Sequence, residues 1–245
     1  MSDTFDPIRH NEAAWDAQAR QDSPWSRPVG PEVIARARAG DWGLHLTPSP
    51  LPADWLGDVK DRDILCLAGA GGQQAPVLAA AGANVTVFDL SGEQLARDAA
   101  VARRDGLDLR LEQGDMRDLT RFGEAEFDMI VHPVSNQYVP DIAPVWGECH
   151  RVLRRGGVLL SSFFNPVVFV ADRVPRVPVP WSDLDAGGVD KSRPVLFGHS
   201  LQDQIGGQLA AGFVLTGFFE EMHPAPRFDI ERYVPAFLAT RSVKG

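Results

Sequence analysis

The sequence predicts an α/β fold, a doubly wound, mostly parallel seven-stranded sheet that ends in a C-terminal antiparallel hairpin. Three observations predict it. From residue 61 onward, short apolar runs of strand length alternate with segments of helical periodicity. Glycines (Gly82, Gly106, the pair Gly156 and Gly157) stand where those helices should stop. The last two apolar runs are joined by about fifteen residues with no complete helical pattern between them. Repeated strand–helix alternation implies right-handed crossovers and a sheet covered on both faces, while the final pair implies a hairpin.

Taken in order, residues 1–60 hold Pro7, Pro24, Pro28, Pro31, Pro48, Pro50 and Pro52, with helical candidates at 11–20 and 31–39 between them. Four of the six tryptophans (Trp15, Trp25, Trp42, Trp55) fall in this stretch. A proline-broken segment of this kind reads as a helical cap or lid over the body, which spans 61–245. In the body, 64–68 is the first strand, 74–81 a helix, and 85–89 the second strand. Ser91-Gly-Glu-Gln94 is a capping box opening a helix that turns Leu95, Ala99 and Ala102 inward and stops near Gly106. Leu107, Leu109 and Leu111 alternate as a third strand, and 127–131 is the fourth. Val145, Cys149, Val152 and Leu153 mark a helix face before the fifth strand, 158–164. Residues 165–195 carry Pro166, Pro175, Pro178, Pro180, Pro194 and Trp181 and read as an insertion on the substrate side. A helix over 200–211, with Leu201, Ile205 and Leu209 inward, precedes the hairpin strands 213–219 and 236–241.

Composition narrows the function classes. A chain of 245 residues, 44% hydrophobic and 23% charged, can bury a large core. Its 24 basic against 33 acidic residues give a net charge of -9, which repels polyanions and disfavours nucleic acid as a partner. Cys66 and Cys149 are the only cysteines and both lie in apolar segments, as reduced thiols of a cytoplasmic protein would. No Cys/His zinc spacing occurs, so no metal is expected. The N-terminus lacks the pattern of a signal peptide and no apolar run reaches membrane-spanning length, which predicts a soluble protein acting away from membranes, as a monomer or homodimer.

In such a sheet the ligand crevice lies outside the carboxyl ends of the strands, where the winding reverses. The first strand ends in Ala68-Gly-Ala-Gly-Gly-Gln-Gln74, whose Gly69, Gly71 and Gly72 permit close approach to the backbone and whose helix start offers free N–H groups. A tight structural turn would use the same glycines. The second strand ends in Asp89, suited to the two hydroxyls of a ribose, though a helix-capping role fits it too. The third ends Gln113-Gly-Asp-Met116, a carboxylate and a thioether suited to an adenine amine and ring.

Ile64 to Gly72, Val85-Thr-Val-Phe-Asp89, Gln113-Gly-Asp-Met116, Phe127-Asp-Met-Ile130 and Arg151-Val-Leu-Arg-Arg-Gly-Gly157 together resemble the successive motifs of class I S-adenosylmethionine-dependent methyltransferases. The resemblance covers roughly residues 60–165, and the terminal hairpin agrees with that family's Rossmann-like seven-stranded sheet. It implies S-adenosylmethionine as cofactor, with the glycine loop at its methionine part, Asp89 at the ribose and Asp115 at the adenine amine, and with Ala68, Gly69, Gly71, Gln73, Leu90, Gln94, Met116 and His132 among the cofactor contacts. The family has an acidic residue in strand one where this chain has Cys66, so the cofactor's amino group must be met by Gln73, Gln74 or backbone carbonyls. The fourth strand ends Val131-His-Pro-Val-Ser-Asn-Gln-Tyr138, where the resemblance puts the reaction. His132 there is a candidate general base, and equally a packing residue. Ser135, Asn136 and Tyr138, with Trp15 and Trp42 from the cap, are candidate acceptor contacts. A small-molecule acceptor is expected, methylated on oxygen, nitrogen or sulfur by in-line displacement in a lidded pocket.

Two alternatives compete. An NAD(P)-dependent oxidoreductase shares the architecture, but its fingerprint wants a small residue at Gln74, and neither Tyr138 nor Tyr233 has a lysine four residues on. A non-catalytic cofactor-binding scaffold has only the missing strand-one acid in its favour.

Overall fold

The computed structural model describes residues 5–171, 193–226 and 229–245. Most of the predicted insertion, including Pro175, Pro178, Pro180 and Trp181, lies outside them.

The chain begins with α1 (Pro7–Arg20), α2 (Pro31–Arg38) and the single turn α3 (Ala53–Leu56). α1 starts a turn earlier than the sequence predicts. Pro7 opens the helix rather than breaking it, because Asp6 caps it by accepting from the amides of Ile8 and Arg9 at 3.0 and 3.3 Å. The body follows as β1 (Asp63–Leu67), α4 (Gln74–Ala80), β2 (Asn84–Asp89), α5 (Gly92–Asp105), β3 (Leu109–Gln113), β4 (Phe127–His132), α6 (Ala143–Val152), β5 (Leu153–Phe164) and α7 (Pro166–Ala171). A π-helical turn, Gln202–Gly206, runs into Gly207–Ala210, and the two together form α8. β6 (Phe213–Glu221) and β7 (Phe237–Lys244) complete the fold.

The seven strands run in the order β3-β2-β1-β4-β5-β7-β6, with β1 to β5 parallel and β7 antiparallel to both β5 and β6. Alternate residues of each inner strand serve opposite faces. Ile64 and Cys66 of β1 join Leu78 of α4 and Leu95 of α5 on one side. Leu65 and Leu67 join Val145, Trp146 and Cys149 of α6 on the other. The residues preceding β1 enter this architecture at several places: Leu44, Leu46, Leu51 and Trp55 belong to the first of these cores, and Ile34 and Ala37 of α2 pack on Val77 of α4.

Three expectations are corrected. The buried stripe of α5 is Gln94, Leu95, Asp98 and Val101, while Ala99 and Ala102 lie at its margin. α8 buries its polar side: Gln204 and Gln208 are 4% and 1% exposed, whereas Leu201 and Leu209 are 45% and 51% exposed. Hydrogen bonds decide this orientation, since Gln208 meets Thr240 at 3.2 Å and Ser242 at 2.7 Å, and Gln204 accepts from Asn136 at 2.7 Å. Finally, Gly156 and Gly157 do not precede the fifth strand but form an irregularity within it, because pairing with β4 begins at Leu153. Among the described residues no helix is long and apolar enough to cross a membrane.

Candidate functional site

β1, β2 and β3 end level. Leu67 pairs with Phe88 and Asp89 with Gln113, so the turn after β1, Asp89 and the turn after β3 share one edge of the sheet. β4 reaches the same edge across the winding reversal, where Nδ1 of His132 lies 3.0 Å from the carbonyl oxygen of Leu67. The crevice of a doubly wound sheet opens at this reversal.

Ala68 leaves β1 with φ at 51°, a left-handed conformation that turns the chain sharply out of the strand. Beyond it the glycines divide their work. A Cβ at Gly71 would collide with the carbonyl oxygen of Gln94 and stand 2.9 Å from Cβ of Arg97, so this glycine lets the turn pack on α5. The Gly71 amide donates to Oε1 of Gln94 at 3.0 Å and the Gly72 amide to Oδ1 of Asp98 at 2.8 Å. A Cβ at Gly69 would meet nothing closer than Oε1 of Gln74 at 3.5 Å, so the open side of the turn is at Gly69. Gln73 is turned away, donating to the carbonyl oxygens of Pro24 and Arg27 at 3.3 and 3.1 Å.

Asp89 is nearly buried and accepts from the Ser91 amide at 2.8 Å. Burial pushes its carboxyl up to about 7, against the pull of that amide. Asp98 is 2% exposed, and burial pushes it up to about 8 against its bond from Gly72. Both carboxylates accept from backbone amides. Of the predicted capping box only half forms: Ser91 Oγ accepts from the Gln94 amide at 3.2 Å, while the Gln94 side chain spans Gly71 and Ser26. Leu90 offers its carbonyl oxygen to Nε2 of Gln113 at 3.0 Å. At the end of β3, Asp115 is gripped by the Arg117 guanidinium at 2.5 to 3.1 Å, and Met116 is packed into the α6-side core.

His132 is fully buried. Its Nδ1 faces Leu67 O and its Nε2 lies 2.7 Å from Oδ1 of Asn136, so both ring nitrogens are engaged inside the protein. Burial holds the imidazole below its ordinary value, opposed by these bonds. Asn136, also fully buried, passes the chain on to Gln204. Ser135 Oγ donates to the carbonyl oxygen of Pro133 at 2.9 Å.

α1 runs across this edge. Asn11, fully buried, donates from Nδ2 to the carbonyl oxygens of Tyr138 and Val195 at 2.8 and 3.1 Å and accepts from the Val195 amide at 2.6 Å. Trp15 meets the Tyr138 ring edge-on at 5.0 Å. Asp16 accepts from Ser91 Oγ at 2.5 Å and from the Glu93 amide at 3.3 Å, and Glu12 accepts from Gln113 at 3.0 Å. Trp15 is thus brought to Tyr138 and the strand-four loop. Trp42 is not: it packs among Ile34, Ala37 and Val77 between α2 and α4. Sequence reasoning missed Asn11, Asp16, Asp98 and Gln204. A carboxylate on the apolar stripe of α5, between Gln94 and Val101, was the available signal for Asp98; the partners of Asn11 lie more than a hundred residues away and left none.

The edge fits a nucleoside with a cationic end. Gly69 admits close approach to backbone, Asp89 has acceptor capacity beyond its bond to Ser91, and the Gln74 amide oxygen faces the open side of Gly69. Comparison with known proteins points the same way. Residues 65–161 match the family described as "Methyltransferase domain". Over 97% of its length the chain is 43% identical to "Uncharacterized methyltransferase YbaJ" of Bacillus subtilis (strain 168), covering 98% of that protein. It is 28% identical to "Ubiquinone biosynthesis O-methyltransferase" of Sodalis glossinidius, over 65% of this chain and 67% of that one. Among solved structures, the S-adenosylmethionine-dependent methyltransferase from Mesorhizobium loti superposes with a TM-score of 0.61 at 23% identity, covering 78% of this chain and 94% of that one.

Proposed function

The chain belongs to the class I S-adenosylmethionine-dependent methyltransferases, and from that premise we propose that it methylates an oxygen, nitrogen or sulfur nucleophile of a small molecule. When bound, S-adenosylmethionine supplies a methyl group on a sulfonium, already activated for transfer. We assign its recognition to the backbone of Ala68, Gly69 and Gly71, to Asp89 with Leu90 for the ribose, and to Asp115 with Met116 for the adenine. Gln94 serves the site indirectly, by holding the Gly71 amide.

The observation that carries the small-molecule reading is α1. Its side chains tie the ends of β2 and β3 to the loop after β4, so it roofs the edge where the acceptor must enter. Such a roof excludes water and holds a nucleophile in line, and orientation of that kind lowers a barrier by about 7–11 kcal/mol at best. The relative from Sodalis glossinidius, named for ubiquinone biosynthesis, is consistent with an acceptor of this size. The charge of -9 opposes a nucleic-acid acceptor.

We propose a positioning role for His132 in place of general-base catalysis. Its ring ties the end of β1 to Asn136, which sets the loop carrying Tyr138. Tyr138 and Trp15 are the acceptor contacts we retain. The test is to incubate the enzyme and methyl-labelled cofactor with a cell extract separated into small molecules, protein and RNA. Label is expected in the small-molecule fraction; label in RNA or protein would overturn the reading.

A further inference from the structure

We infer that Oε1 of Gln74 receives the ammonium group at the amino-acid end of the bound cofactor, an inference that rests on S-adenosylmethionine binding at the glycine turn. β1 itself brings no carboxylate there: from Ile64 to Leu67 its side chains are aliphatic apart from the Cys66 thiol. The first side chain of α4 is a primary amide only 9% exposed. Its Nε2 donates to the carbonyl oxygen of His45 at 3.0 Å. A backbone carbonyl can only accept, so this bond fixes which end of the amide faces His45 and turns Oε1 the other way. There Oε1 is the nearest atom to the open side of Gly69, 3.5 Å from where a Cβ would stand. No donor among the described residues reaches it.

An acceptor oxygen on a side chain held this firmly, with no donor from the described residues, suits a ligand that brings one. The cofactor carries a strong donor at the end away from its adenosine. Gln73 is not placed for this role: none of its atoms comes within 4 Å of the open side of Gly69, and its Nε2 is turned to the carbonyl oxygens of Pro24 and Arg27.

Calorimetry with S-adenosylhomocysteine and its desamino analogue, which keeps the carboxylate, thioether and adenosine, tests the inference on the wild type, Gln74→Met and Gln74→Glu. The wild type should prefer S-adenosylhomocysteine by roughly tenfold or more, as expected for a hydrogen bond to a charged group. Gln74→Met should erase that preference while binding the desamino analogue unchanged. Gln74→Glu, which keeps an acceptor oxygen at the same length, should retain it, and it decides the matter should Gln74→Met fail to fold. Equal weakening of both ligands in Gln74→Met, or a preference lost in Gln74→Glu, would overturn the inference and leave Gln74 as a brace for His45. A wild type that binds neither ligand would instead overturn the cofactor site itself, and this inference with it.

Discussion

Burying a carboxylate at Asp98 costs folding free energy that its bond from the Gly72 amide offsets only in part, and the cost depends on pH. An aspartate in the unfolded chain titrates near 3.9, whereas burial in the folded protein pushes Asp98 up to about 8. Between those values the folded state holds a proton that the unfolded state has released, so stability falls as pH rises from about 4 to about 8 and is level above. Asp98→Asn keeps an acceptor for Gly72 and removes the titration. Thermal melts should show the variant several degrees more stable than wild type at pH 9, with the gap narrowing toward pH 4; an equal gap at both ends would contradict the assignment. His132 makes a different case, a buried ring whose two nitrogens both face carbonyl oxygens. His132→Ala strands Leu67 O and the Asn136 side chain, and should cost about 2–4 kcal/mol in denaturant unfolding. Its residual activity should keep the wild-type pH profile; loss in the variant of a titration below the ordinary histidine range would instead restore the general-base role. The placement of single residues was legible where they end a strand, as Asp89 ends β2. Their roles were illegible where a partner from elsewhere consumed the side chain, as Asn136 and Leu67 do for His132.

At the scale of elements, periodicity located β1 to β5 and the helices between them because apolar burial decides those segments. It failed on α8, whose buried face is polar: hydrogen bonds to Asn136, Thr240 and Ser242 outweigh the exposure of Leu201 and Leu209. It also misplaced the stripe of α5 by one residue, since Gln94 and Asp98 are buried to hold the glycine turn. α1 is held to the sheet edge mainly by polar bonds, and Asn11 makes three of them. Asn11→Ala should therefore loosen α1 without unfolding the body. Amide hydrogen exchange should rise across 7–20 and 135–139 while β1 and β4 stay protected, and turnover should fall more than affinity for S-adenosylhomocysteine. Unchanged exchange in α1 would mean that the helix is held by something other than Asn11.

For the whole molecule, the strand order puts the winding reversal between β1 and β4, with three level strand ends on one side and the His132 loop on the other. The residues before β1 divide between two tasks. α1 is bonded to residues at this edge, while α2 and the stretch from Leu44 to Leu56 complete the packing on α4 and the sheet. The crowding of tryptophans near the N-terminus divides with them: Trp15 meets Tyr138 in the loop after β4, Trp55 lies in the core, and Trp25 is exposed. Binding of S-adenosylhomocysteine to wild type and Asp89→Ala, measured by calorimetry at pH 6 and pH 8, tests the cofactor site most directly. The Asp89 carboxyl, pushed up to about 7, accepts best from ribose hydroxyls when ionised, so wild-type affinity should rise from pH 6 to pH 8. Asp89→Ala should bind roughly tenfold more weakly at pH 8 and lose that rise. An Asp89→Ala protein that binds as tightly as wild type at both pH values would contradict the site.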